Sequence, residues 1–437
     1  MSLGGAVAGP NMVGRKQMSI ADTFRLAWAD PDLRQRLIFV LAVFAAYALL
    51  VHVTTPIPGV TPSQMQRLLQ DNGFLQMLNQ FGGGAFKRLS IISLGLGPYI
   101  TASIILQVLT YANPAWKQEL QEGGEYARKQ QNRRTRALTL VLCVGQSLGF
   151  FHAMTAQIGP QPPINYALVT MFWTAGSMLL LWMGEQISEK GIGNGVSLLI
   201  FMGIVISIPN LVQLIADNYG TAINAWQIGL IVAVFAATTY FVVLFTQAQR
   251  RIPIQHMRRN YGTKAVGGQT SYLPISVNMA GVIPIIFAVA LVYMPAQVAG
   301  AFPAGSPAHD TMAEVARFLS PDFTRWQGLL GALVYTALIF GFTFVWNAMT
   351  YNVEDIANNL KRAGSYIPGI RPGKQTRDFL NGVITRVTFV GALFLAVAAL
   401  TQYIFPALVP GIPNLGLLAG TSLLIMVSVA LETMRQI

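Results

Sequence analysis

Six stretches of this chain, residues 137–184, 191–216, 218–249, 265–309, 326–353 and 387–431, contain no Asp, Glu, Lys or Arg. A hydrocarbon core about 30 Å thick needs roughly 20 apolar residues per helix, so each stretch is long enough to span a bilayer, and several can do so more than once. Only 11% of the 437 residues are charged and 53% are hydrophobic, against about 25% charged in an ordinary soluble domain. A water-soluble fold of this size is excluded, and an all-α polytopic membrane protein is expected.

Hydropathy, punctuated by Gly, Pro and charge, predicts ten spanning helices near 37–53, 92–111, 137–156, 166–184, 196–215, 227–247, 279–299, 327–349, 384–404 and 415–434. With a cytoplasmic N-terminal segment over 1–36, twenty-four of the 29 Lys and Arg residues fall on the cytoplasmic side. The positive-inside rule therefore places both termini in the cytoplasm. The polar segment from Asp217 to Ala225 divides the spans into two sets of five, 37–216 and 217–437. With an odd number of spans in each, repeated halves would have to be inverted about an axis in the membrane plane, and their interface is the natural place for a pathway. No cleavable signal sequence is expected, because residues 1–35 are polar, basic and Gly-rich and the first apolar run begins at Leu37. The single cysteine, Cys143, reads as a small buried side chain.

The segment Gly73–Pro98 breaks the pattern. A short apolar piece from Phe74 to Phe81 meets Gly82, Gly83 and Gly84, then Lys87 and Arg88, before a new apolar run. Such backbone sits at membrane depth only if protein surrounds it or it lines a cavity. It reads either as a short re-entrant segment that closes a pore or as an ordinary external loop.

Two cytoplasmic loops carry pinned cations. Segment 248–276 holds Arg250, Arg251, Arg258 and Arg259, and segment 351–377 holds Ile367-Pro368-Gly369-Ile370-Arg371-Pro372-Gly373. Basic loops are first of all topology determinants. The Pro and Gly around Arg371, however, fix a backbone geometry that a solubilising loop does not need. Projecting cations of this kind suit an acidic or nucleic-acid partner.

Several chemistries are disfavoured by what is missing. There is no Gly-rich phosphate loop ending in Lys-Ser or Lys-Thr, so nucleotide hydrolysis by the chain itself is not expected. Glu185 and Asp217 fall at helix ends and Glu354 and Asp355 in a loop, which leaves no mid-span carboxylate for an ion-coupled carrier. His52 and His152 read as satisfied helix-end residues, and neither a metal nor another cofactor is expected. A protein-conducting channel, a small-solute carrier and a poreless scaffold or insertase are the competing classes. The missing carboxylate weighs against the second, and the plug-like segment against the third.

Over Leu33 to Met434 the chain resembles the SecY/Sec61-alpha family, pore subunits of protein translocases. The resemblance is carried in order by Pro56-Ile57-Pro58-Gly59, Phe81-Gly82-Gly83-Gly84-Ala85, Gly97-Pro98-Tyr99-Ile100-Thr101-Ala102-Ser103-Ile104, Gly184-Glu185-Gln186-Ile187 and Gly191-Ile192-Gly193-Asn194-Gly195. It continues through Gln249-Arg250-Arg251-Ile252, Asn278-Met279-Ala280-Gly281-Val282-Ile283-Pro284, Ile367 to Gly373, and Gly420-Thr421-Ser422-Leu423-Leu424-Ile425.

This resemblance implies a non-enzymatic clam-shell of two five-helix halves around an hourglass pore in the bacterial cytoplasmic membrane. It implies a plug over about 73–88, including Phe74, Phe81, Gly82, Gly83 and Gly84, and a waist ring of Leu96, Ile100, Ile200, Ile286 and Ile425. A ring of branched aliphatic side chains is a constriction that resists wetting and ions. It further implies a lateral gate between helices 92–111 and 137–156 on one side and 279–299 and 327–349 on the other, through which an apolar signal sequence would enter lipid. Gln107, Gln146 and Asn278 are expected to hydrogen-bond across that gate. Arg250, Arg251 and Arg371 match the loops that dock the motor ATPase SecA and the ribosome, where a contact to ribosomal RNA is also open. SecE and SecG are the expected companions, and preproteins the clients. Gly97 stands where relatives often have a bulky residue, and Gly82 where a Ser is common. The chain closes at Ile437, where the family leads one to expect a further basic cytoplasmic tail.

Overall fold

The computed structural model describes residues 28–57, 79, 82–217, 219–220, 224–256, 259–261, 264–266, 270–300, 302, 306–321, 323, 326–408 and 420–436. The first half contains α1 (Pro31–His52), α2 (Gly97–Ala112), α3 (Pro114–Glu122), α4 (Gly124–Ile158), α5 (Pro163–Lys190) and α6 (Gly195–Asp217). The second contains α7 (Ala225–Gln247), α8 (Ile283–Gly300), α9 (Pro307–Leu319), α10 (Trp326–Thr350), α11 (Val353–Arg362), α12 (Lys374–Leu408) and α13 (Thr421–Gln436). Most of each segment expected to span lies on one of these helices, while 92–96 and 279–282 are not helical and 415–419 lies outside the described residues. The runs containing α1, α5, α7, α10 and α12 are long and apolar enough to cross a membrane by that measure alone. Apolar side chains such as Leu49, Val141, Met171, Val232 and Leu333 stand exposed on the outside, the pattern of helices solvated by lipid rather than water.

One apolar cluster joins the two halves. Tyr47, Ile92, Leu180 and Leu199 from the first pack with Ile285, Tyr335, Leu395 and Leu424 from the second. Helix α8 lies against α2 and α4, and α13 against α6, so the halves meet along both of these seams. A second cluster, with Phe86, Phe150, Phe151 and Trp173, lies in the first half.

Two departures from the sequence expectations shape the surroundings of the site. Helix α2 begins at Gly97 rather than near 92, because residues 82–96 form successive turns. The cause is local: Gly83, Gly84 and Gly95 adopt positive φ, as does Leu89, and Pro98 sits in the first turn of α2. The irregular backbone is satisfied by its neighbours, as buried polar groups require. Thr55 N–H donates to Leu89 O at 2.7 Å, Ile91 N–H to Val53 O at 3.0 Å, and the Ser90 hydroxyl to Leu50 O at 2.7 Å.

The second departure corrects the all-α expectation. The segment expected as the loop 248–276 folds into strands β1 (Gln249–His256), β2 (Arg259–Tyr261), β3 (Lys264–Val266) and β4 (Thr270–Ser276), and β5 (Ser365–Tyr366) comes from the following loop. Strands β4, β1 and β5 form one antiparallel sheet with Arg250 opposite Ile275 and Ile252 opposite Leu273. The signal was an alternation of period two: Ile252 and Ile254 are buried while Arg251 and Pro253 are exposed. Hydropathy averaged over a span-length window hides so short a pattern.

Candidate functional site

A cavity lies where the two halves meet, enclosing about 800 Å³ counting its open side. Its wall is contributed by α2 and the turns before it, α6, α8 and α13, together with Tyr47 of α1, Gln146 of α4 and Leu180 of α5. All five aliphatic residues singled out in the sequence line it: Leu96 and Ile100 at the start of α2, Ile200, Ile286 and Ile425. Leu96, Ile200 and Ile425 are buried, and Ile100 and Ile286 partly so. Thr101, Gln146 and Thr421 are the polar side chains among the lining residues besides Tyr47. A wall of this composition disfavours water and ions but presents no rigid polar lattice to a passing chain.

Gly82 also lines the cavity. Its neighbour Gly83 has φ +67°, and a Cβ there would stand 3.3 Å from both the Gly203 carbonyl oxygen and the Ile206 side chain of α6. The turn therefore seats itself against α6 by lacking a side chain. The Gly84 N–H donates to Asn79 O and the Lys87 N–H to Asn79 Oδ1 at 2.8 Å. Phe74 and Phe81 lie outside the described residues. A tight contact that the sequence reading missed is at Gly176 of α5, where a Cβ would overlap the Ile91 carbonyl oxygen; nothing in the local sequence distinguishes that glycine from a lipid-facing one.

The three amides expected at the gate occupy different surroundings. Gln107 Nε2 donates to Ser103 Oγ on its own helix at 2.9 Å and borders a narrow apolar cleft against Phe287, Phe342 and Trp346. Gln146 faces the central cavity. Asn278 precedes α8 instead of lying in it, and both polar atoms of its side chain are buried without a partner among the described residues. Of the histidines, His52 has Nδ1 2.8 Å from Ala48 O and Nε2 2.6 Å from the Arg88 guanidinium. His152 has Nδ1 3.4 Å from the Tyr166 hydroxyl.

At the tip, the two basic loops form one unit. Ile252, Ile275, Ile367, Leu380 and Ile384 make a small core of their own. Strand β5 pairs with β1 through Gln255 and His256. His256 further joins the loops, with Nδ1 2.7 Å from the Ser365 hydroxyl and Nε2 3.1 Å from that of Ser271. The Ile367-Pro368-Gly369-Ile370 segment closes with Ile370 N–H donating to Ile367 O at 3.0 Å. Gly369 has φ +81°, so Pro and Gly occupy the second and third positions of a type II turn, where their backbone preferences fit. Arg371 follows directly, and its carbonyl accepts from the Thr376 hydroxyl at 2.9 Å. Arg250, Arg251 and Arg371 are exposed, and none forms an ion pair among the described residues.

Comparison with known proteins gives a consistent pattern. The SecY family profile matches residues 90–434. Protein translocase subunit SecY of Halalkalibacterium halodurans is 39% identical over 433 residues, 96% of each chain. The same-named subunit of Bacillus subtilis is 36% identical, covering 93% of this chain and 94% of that one, and that of Thermotoga maritima is 38% identical at 94% of each. Among solved structures, one of a SecY protein concerned with its plug domain superposes with a TM-score of 0.65 at 20% identity, covering 94% of this chain and 96% of that one. Sec61 in a canine ribosome–channel complex gives 0.57 at 16% identity, with the same shares.

Proposed function

The chain belongs to the SecY family, and from that premise we propose how it works as the protein-conducting channel subunit of a translocase. It is a membrane channel component and not an enzyme. In our reading, ten helices cross the bacterial cytoplasmic membrane with both termini inside, as two inverted halves over 37–216 and 217–437. The segment 73–88 is the plug. Leu96, Ile100, Ile200, Ile286 and Ile425 are the ring that seals the resting channel and yields around an unfolded preprotein.

The observation that carries this reading is that those five side chains, from four elements of both halves, line a single apolar cavity with Gly82 at its edge. A hydrophobic constriction between two rigid halves closes by dewetting and opens by small displacements of its walls. The seam where α8 meets α2 and α4 is the lateral gate, with Gln107, Gln146 and Asn278 as its polar residues. There a sufficiently apolar signal sequence partitions into lipid, while a polar segment continues through the pore.

The tip is the docking site in the cytoplasm. Arg250 and Arg251 on β1 and Arg371 after the neighbouring turn offer exposed cations with no ion pair among the described residues, suited to an acidic protein surface or to phosphates. We assign them to SecA and to the ribosome, including its RNA, with SecE and SecG completing the channel.

Reconstitution in vesicles with SecE, SecG and SecA tests the proposal. ATP-dependent protection of a preprotein from added protease is the expected result. Failure of protection with every partner bound and active would leave the scaffold or insertase reading in its place.

A further inference from the structure

Three tyrosines meet inside the second half: Tyr293 of α8, Tyr335 of α10 and Tyr403 of α12. The Tyr293 and Tyr403 hydroxyls are 3.4 Å apart. The Tyr335 ring stands edge-to-face on that of Tyr403, with centroids 5.9 Å apart. Tyr335 is fully buried, and its hydroxyl has no hydrogen-bond partner among the described residues. An unpartnered hydroxyl in an apolar setting is unfavourable and is retained only where another arrangement uses it or the fold tolerates its loss.

Tyr293 holds a position that neither of the others shares. Its ring packs against the cluster that joins the halves and also against the first-half cluster of Phe86, Phe150 and Trp173. It therefore sits on the seam, on the helix that lies against α2 and α4. The nest is also linked toward the pore. Gln402, next to Tyr403, accepts from the Thr421 hydroxyl at 2.7 Å, and Thr421 lines the central cavity.

We infer that Tyr293 is a positioning residue for the gate. Its hydroxyl is held by Tyr403 while α8 rests against the first half, and it passes to Tyr335 when α8 moves away. The inference rests on the reading of that seam as a gate. Each arrangement then contains one tyrosine–tyrosine hydrogen bond. The exchange keeps the two states close in free energy, so a signal sequence with modest differential affinity can shift the population. Tyr335 is without a partner here because the described arrangement is the one in which Tyr403 has the bond.

The test uses the full chain reconstituted with its partners and a preprotein whose signal sequence has been weakened, so that export reports the bias of the gate. Tyr403→Phe removes a bond of the resting arrangement and is expected to raise export about threefold, the size of one average intramembrane hydrogen bond. Tyr335→Phe removes the bond of the other arrangement and relieves the unpartnered hydroxyl, so export is expected to fall by a similar factor. Both effects are expected to vanish in a Tyr293→Phe background, as coupled residues do in a double-mutant cycle. Effects of the same sign, or effects that survive in that background, would overturn the exchange.

Bridging Val108→Cys to Val345→Cys with a short bis-maleimide, in a Cys143→Ala chain, separates the premise from the inference. Both positions border the cleft between α2 and α10. A block of signal-dependent transport upholds the gate, and the tyrosine variants then decide the exchange. Undiminished transport through the bridged chain overturns gate and exchange together.

Discussion

The wall of the central cavity and the tip formed by the two basic loops are both built on isoleucine, yet the side chains do opposite work. In the cavity Ile100, Ile200, Ile286 and Ile425 line the space between the halves, so in the proposed channel their apolar surface is the functional surface. At the tip Ile252, Ile275, Ile367 and Ile384 are hidden, and the proposed docking surface is the set of arginines exposed beside them. A substitution in the wall should therefore change what the closed channel excludes. One at the tip should change which partner docks and leave the seal unaltered.

The most severe separation is expected from Arg371→Glu. In the proposed docking to an acidic partner, reversing this exposed charge replaces attraction by like-charge repulsion, which costs several kcal/mol. SecA-driven export should fall by about tenfold or more, while anion leak through the idle complex stays at the unaltered level. Normal export by this variant would remove Arg371 from the docking surface.

Ile425→Asn should act the other way. An amide in the ring supplies hydrogen-bonding sites to a constriction that depends on repelling water, so leak should rise by about fivefold, with SecA binding unchanged. Dye-flux measurements and a binding titration on the same vesicles would read both quantities. Should leak stay constant, Ile425 would be a packing residue rather than part of the seal.

Much of this contrast was legible in the sequence, though unevenly. Charge-free runs located the helices because lipid tolerates few alternatives to a helix with every backbone group paired. Pro368, Gly369, Pro372 and Gly373 marked a constrained turn around Arg371 because those residues limit the backbone wherever they occur. The sheet was missed because its alternation spans only a few residues and β5 lies more than 100 positions from β1, so its pairing is a tertiary fact. The start of α2 was misplaced because hydropathy cannot distinguish an apolar helix from apolar turns whose backbone is satisfied by other segments. Gln107, Gln146 and Asn278 were expected to act across the gate because the resemblance placed that gate between their helices. The surroundings of Gln107 and Asn278, a bond within one helix and a buried amide without a partner among the described residues, depend on rotamers and neighbours that no local pattern encodes.

A milder change at the tip examines whether display depends on backbone geometry as well as charge. Gly369 has φ +81°, and an alanine forced into that region costs about 1 kcal/mol, or about fivefold in an equilibrium constant. Gly369→Ala should weaken SecA binding by up to about fivefold without altering leak. Binding at full strength would show that the turn adapts and that the arginine alone matters.

The smallest effect is expected at Gln107, where the two regimes of polar side chain meet. Its side chain borders the apolar cleft between α2 and α10, but the hydrogen bond it makes runs to Ser103 on its own helix. A bond internal to one rigid helix contributes equally before and after the helices separate, so its loss should hardly bias the gate. Gln107→Leu is therefore expected to change export of a preprotein with a weakened signal sequence by less than about threefold, the value of one average interhelical bond in a membrane. A larger change would mean that Gln107 leaves Ser103 and bonds across the seam in the resting complex. In that case the gate would be held by polar contacts at two depths, at Gln107 and at the tyrosines, instead of by apolar packing with the tyrosines alone.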